Sequence, residues 1–63
     1  MYRGKILELF TKKEIISAGE IQKEISGGYD FDVRDEIWLM IRDNLLELTP
    51  SFQLRRVYGP TEL

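Results

Sequence analysis

Five consecutive apolar residues, Ile37-Trp38-Leu39-Met40-Ile41, lie between the acid-rich run Asp32-Val33-Arg34-Asp35-Glu36 and Arg42-Asp43-Asn44. Val33, Ile37, Met40, Ile41 and Asn44 recur at i, i+4, i+7, i+8 and i+11, which is one face of a helix. Asp32 is the predicted N-cap, its carboxylate accepting a first-turn N–H. Asp35 and Glu36 sit toward the positive end of the helix dipole and Arg42 toward the negative end. Asn44 suits the left-handed residue that ends a helix. Alternatively the helix runs on through Leu45 to Leu48, and Pro50 stops it, because the residue before a proline avoids helical angles. Trp38 and Leu39 fall outside the stripe, so this helix is apolar almost all round. Such a helix is buried or sits in an interface.

Size limits how far burial can go. The chain has 63 residues, one domain over 1–63, with 59–63 read as a loose tail. A chain of this length buries only about 60% of its unfolded surface. It contains neither cysteine nor histidine, which removes disulfides, thiolate metal sites and the commonest general base. Paired carboxylates for acid–base catalysis need a concave pocket, and so short a chain offers little room for one. An enzyme is therefore not expected, and no cofactor is. No apolar run approaches the ~20 residues of a membrane span, and the N-terminal sequence lacks a signal-peptide pattern. A cytoplasmic location is the expectation.

Before the acidic helix, Tyr2, Ile6, Leu9 and Phe10 form one stripe with Leu7 at its edge, predicting a helix from about Tyr2 to Thr11. Glu14-Ile15-Ile16 reads as a connector or a very short strand. Ser17-Ala18-Gly19-Glu20 matches a capping box, and the helix it opens runs from Ala18 to about Ser26 with Ala18, Ile21 and Ile25 inward. Gly27-Gly28 supplies the positive φ of a helix end. After the acidic helix, Leu45–Leu48 reads as a strand and Thr49-Pro50-Ser51 as a three-residue turn. Phe52–Tyr58 is the return strand, with Phe52, Leu54 and Arg56 on one face. The fold class is mainly α with a small β-hairpin. A plain three-helix bundle is the competitor.

Net charge is −2, unevenly spread. Residues 30–47 carry Asp30, Asp32, Asp35, Glu36, Asp43 and Glu47 against Arg34 and Arg42, whereas each flank is slightly basic. Lys12-Lys13 reads either as a solvated helix end or as a phosphate contact. Asp30, Asp32, Asp35 and Glu36 do not match the calcium-loop spacing, and helix-start acids account for them. Arg34, Trp38 and Arg42 are spaced i, i+4, i+8 on the flank away from the core stripe. They form an aromatic anchor between two guanidinium groups, suited to an interface and to cation–π contact. The plainer reading folds Trp38 onto Phe31 or the hairpin.

The element order, the capped start Ser17-Ala18-Gly19-Glu20-Ile21, the spacing Val33, Ile37, Met40, Asn44, Leu45, Leu46 and the strand Arg55-Arg56-Val57-Tyr58 together resemble the winged helix-turn-helix family. The resemblance spans Lys5 to Tyr58. It implies three helices plus a C-terminal wing, and a third helix that enters the DNA major groove. On that reading the chain is a DNA-binding, transcriptional-regulator type of protein. Lys12, Lys13, Arg34, Arg42, Arg55 and Arg56 would touch double-stranded DNA. This sequence departs from the family's pattern at the helix start, where Asp30, Asp32 and Asp35 would face a polyanion. The alternative is a winged-helix module for protein–protein contact or homodimerisation, centred on Trp38 and Leu39.

Overall fold

Ser17 starts the best-defined helix of the molecule: its Oγ accepts from the Glu20 N–H at 3.1 Å, the first half of the expected capping box. The protein is seen as a computed structural model that describes residues 2–57. Three helices, α1 (Tyr2–Leu9), α2 (Ala18–Ser26) and α3 (Phe31–Arg42), combine with strands β1 (Ile15–Ile16), β2 (Leu46–Leu48) and β3 (Leu54–Arg56). The strands make one antiparallel sheet in the order β1-β3-β2. The fold is thus mainly α with a small hairpin, and the short connector is a strand. The tail and Tyr58 lie outside the described residues.

α1 ends at Leu9 rather than Thr11. Phe10, Thr11 and Lys12 donate to carbonyls three residues back, the tighter winding common in a last turn. α2 keeps its expected bounds, closed by Gly27 at φ 76° with its N–H on the Lys23 carbonyl. Within α2, however, Ala18 is exposed rather than inward. Gln22 is the residue that goes inside, at 6% exposure. Its Oε1 accepts from the Asp30 N–H at 2.9 Å.

Asp30, not Asp32, caps α3. Its backbone is extended, and its Oδ1 accepts from the N–H groups of Asp32 at 2.8 Å and Val33 at 3.2 Å. The sequence holds acids at both positions. Gln22 decides between them by pinning the backbone of Asp30. At the other end Asn44 adopts φ 63°. Its N–H reaches the Ile41 carbonyl at 3.1 Å, and the Leu45 N–H reaches the Met40 carbonyl at 2.8 Å. These are the two bonds of a Schellman turn, so α3 stops there and the bundle alternative is excluded.

The core is Ile6, Phe10, Ile16, Ile21, Val33, Ile37, Met40, Leu46 and Leu54, all at or below 5% exposure. Each is worth roughly 1.5–3 kcal/mol on full burial. α3 contributes three of the nine and touches both other helices and β2.

The Gln22–Asp30 link generates a prediction. Gln22→Ala removes the acceptor for a half-buried backbone N–H at the start of α3, and stability should fall by about 1–3 kcal/mol in urea unfolding. Gln22→Met, which keeps the volume but not the acceptor oxygen, should lose a similar amount. A Gln22→Met variant as stable as the original would show that the bond contributes little.

Candidate functional site

Large apolar side chains lie in the open on and around α3. Tyr29 is 64% exposed, Phe31 65%, Trp38 58% and Leu48 46%. They arise from ordinary local structure. Tyr29 and Phe31 flank the capping Asp30 and both point outward, their rings edge to face with centroids 5.2 Å apart. Trp38 stands on the side of α3 opposite Glu36. Leu48 pairs across the hairpin with Leu54, whose side chain is buried, while its own stays half-open.

Trp38 walls an apolar groove of about 240 Å³ between α2, α3 and the hairpin. Ala18 and Gln22 line one side, and Ile37, Ile41, Leu48 and Leu54 complete it, with Arg34 at the mouth. The expected sandwich of Trp38 between two arginines is not formed. Arg34 lies over the Phe31 ring, 5.2 Å from its centroid, and bonds Asp35 at 3.2 Å. Arg42 turns to Asp43, also at 3.2 Å. Each arginine takes the nearest carboxylate, which is its sequence neighbour. Trp38 shares the groove with Leu48 and Leu54 of the hairpin, but more than half of it stays in solvent and it is not part of the core.

The other candidate cations fall in two neighbouring pairs, Lys12-Lys13 after α1 and Arg55-Arg56 on β3. Lys13 pairs with Glu20 at the start of α2, and that hydrogen bond raises its pKa. Lys12 is exposed beside it. Arg55 pairs with its cross-strand partner Glu47, and Arg56 is half-buried next to Phe10 and Glu14. The hydrogen bond to Asp35 likewise raises the pKa of Arg34. Arg3, absent from the expected set, is the most engaged cation on α1. Its Nε donates to Glu36 at 2.6 Å and its Nη2 to Asp43 at 3.3 Å, tying α1 to α3. The bond to Glu36 is the main reason its pKa is raised. Leu39 is exposed at 37%, on the other side of α3 from the groove. Among the described residues no group of three or more acidic side chains is placed to hold a metal.

Phe52 is the feature the sequence did not signal. The hairpin loop is Pro50-Ser51-Phe52, one residue later than Thr49-Pro50-Ser51. The Thr49 N–H bonds the Gln53 carbonyl at 2.7 Å, and the Phe52 N–H bonds the Thr49 carbonyl at 2.9 Å. This loop puts its third residue at positive φ, where glycine is usual. Here Phe52 takes φ 63° and is 79% exposed.

No family model matches the chain, and no curated protein or solved structure is significantly similar to it. Among the described residues no helix is long and apolar enough to cross a membrane.

The loop geometry predicts that Phe52→Gly stabilises the fold. Left-handed backbone costs an ordinary residue roughly 1–2 kcal/mol, and glycine's extra chain entropy takes back part of that. A net gain on the order of 0.5–1 kcal/mol in urea unfolding is expected. A loss would mean that Phe52 packs against the fold despite its exposure.

Proposed function

We propose that this chain is a winged-helix-type module for protein–protein contact, docking a partner over the Trp38 side of α3. The observation that carries the reading is the exposure of Tyr29, Phe31, Trp38 and Phe52, four of the six aromatic side chains among the described residues. Scattered single apolar residues are normal on a surface, but a contiguous patch marks an interaction site. Tyr29, Phe31 and Trp38 lie along α3 beside the half-open Leu48, with Arg34 among them. Tryptophan, tyrosine and arginine are the residues that dominate binding energy at interfaces.

The DNA reading is the second one, supported by the element order, the capped α2 and the hairpin. It is weakened by electrostatics. Lys13, Arg34, Arg42 and Arg55 are each paired with a carboxylate. Phosphate would have to displace those carboxylates, and Asp32 and Asp35 on the outside of α3 would repel it.

Two experiments separate the readings. Sedimentation with labelled random duplex DNA should show no co-sedimentation at low or moderate salt. A photo-crosslinking residue in place of Phe31, in the cell of origin, should trap one discrete protein. That adduct should vanish on Trp38→Ala in a chain whose circular dichroism is unchanged. Binding to DNA that salt releases, and that Arg55→Ala with Arg56→Ala removes, would replace this function with the DNA one.

A further inference from the structure

We propose that the partner is a second copy of this chain, joined outer face to outer face along α3. The two helices run antiparallel about a two-fold axis that passes between Trp38 and Leu39. This rests on the protein-docking reading above and names its partner.

α3 carries two stripes of the same spacing. The inward one is Val33, Ile37, Met40 and the half-buried Ile41, with the exposed Asn44 continuing the spacing just past the helix end. Shifted back by two residues, the same spacing picks out Phe31, Asp35, Trp38, Leu39 and Arg42. At ~100° per residue, two residues turn the stripe about 200° round the helix, which puts it opposite the core. All five of its members are exposed. This second stripe has an acid toward one end, a base toward the other and two apolar residues between them.

That order is self-complementary in one orientation. Asp35 and Arg42 are seven residues apart, about 10 Å along the axis. An antiparallel copy brings Asp35 to Arg42 of the second copy and Arg42 to its Asp35, giving two ion pairs from one surface, as a two-fold interface requires. Trp38 then meets its own counterpart on one side of the axis, and Leu39 meets its own on the other. A parallel copy would place Asp35 against Asp35 and Arg42 against Arg42. The helix dipoles also oppose each other only when the copies are antiparallel.

Among the described residues, Asp35 and Arg42 pair with neighbours in sequence, Arg34 and Asp43, at 3.2 Å each. Such exposed pairs contribute little and exchange readily. The carboxylate of Glu36 and the other oxygen contact of Asp43 belong to Arg3 on α1, away from this stripe. The whole described surface is 4651 Å², and a standard interface covers about 800 Å² per partner, roughly a sixth of it. The stripe with its neighbours Tyr29 and Leu48 offers seven residues a side against the roughly 20–30 of a standard interface, so the dimer should be weak, with a Kd on the order of 10–100 µM.

Sedimentation equilibrium of the purified chain from about 10 µM to about 1 mM tests this. Trp38, the single tryptophan, reports the same event by a blue shift of its emission as concentration rises. Asp35→Arg and Arg42→Asp each set like charges against each other twice and should weaken the dimer by at least ~10-fold. The double variant exchanges the charges and should return to within ~3-fold of the original. Both positions are exposed, so the variants should fold, and circular dichroism checks that they do. A chain monomeric at 1 mM, or a double variant as weak as the singles, overturns the pairing. If the chain is monomeric yet Phe31 still cross-links another protein through Trp38, self-pairing falls and the docking reading stands. If neither assembly is seen, both fall.

Discussion

The turn at Asn44 is the constraint on which the rest depends. Left-handed backbone costs an ordinary L-residue, and asparagine tolerates it because its short polar side chain bonds locally. Two N–H groups, of Asn44 and Leu45, close onto the last carbonyls of α3 there. The chain reverses its period within two residues, from 3.6 to 2. Leu46 drops into the core at 1% exposure and β2 begins. Without that turn the helix would consume Leu45–Leu48, β3 would lose one of its two partners, and the sheet would be reduced to β1 against β3.

Much of this was legible in the residues. The three helices, the Ser17 cap, the Gly27 end and the Asn44 stop follow from side-chain chemistry that acts over three or four positions. What was not legible acts at longer range or against local preference. Asp30 and Asp32 are equal caps by type, and only Gln22, eight residues before Asp30, separates them. Ala18 suits an inward position by size, yet the buried one in α2 went to Gln22 because a buried amide could satisfy a backbone donor. The hairpin loop sits one residue later, and Leu48 faces Leu54 rather than Phe52, because the loop accepted Phe52 where glycine is usual, which no propensity would select. The cations were visible as a set, but their disposition was not. Lys13, Arg34, Arg42 and Arg55 each took an acid, and for Arg42 its neighbour Asp43 wins by proximity over the Trp38 ring a turn away.

That disposition changes what the surface can do. The paired cations are spread over α1, the turn after it, α3 and β3, each beside a carboxylate that offsets its field, and the sheet carries Arg55 beside Glu47. Apolar exposure, by contrast, is concentrated around α3, along the groove that Trp38 walls. The domain is too small to cover α3 from both sides. One stripe takes the available core partners, and the other is left for whatever meets the molecule from outside.

The strain at Phe52 fits the same division. A left-handed phenylalanine at 79% exposure contributes strain and little burial to the isolated fold. Strained positions persist where the surrounding structure holds them, here the Thr49–Gln53 and Phe52–Thr49 backbone bonds of the loop. Phe52 stands at the tip of the hairpin whose β2 residue Leu48 borders the groove. A major-groove contact and a protein contact cannot both use the outer stripe of α3. On that stripe Asp35 would repel a phosphate backbone, whereas Phe31, Trp38 and Leu39 are apolar side chains left in water.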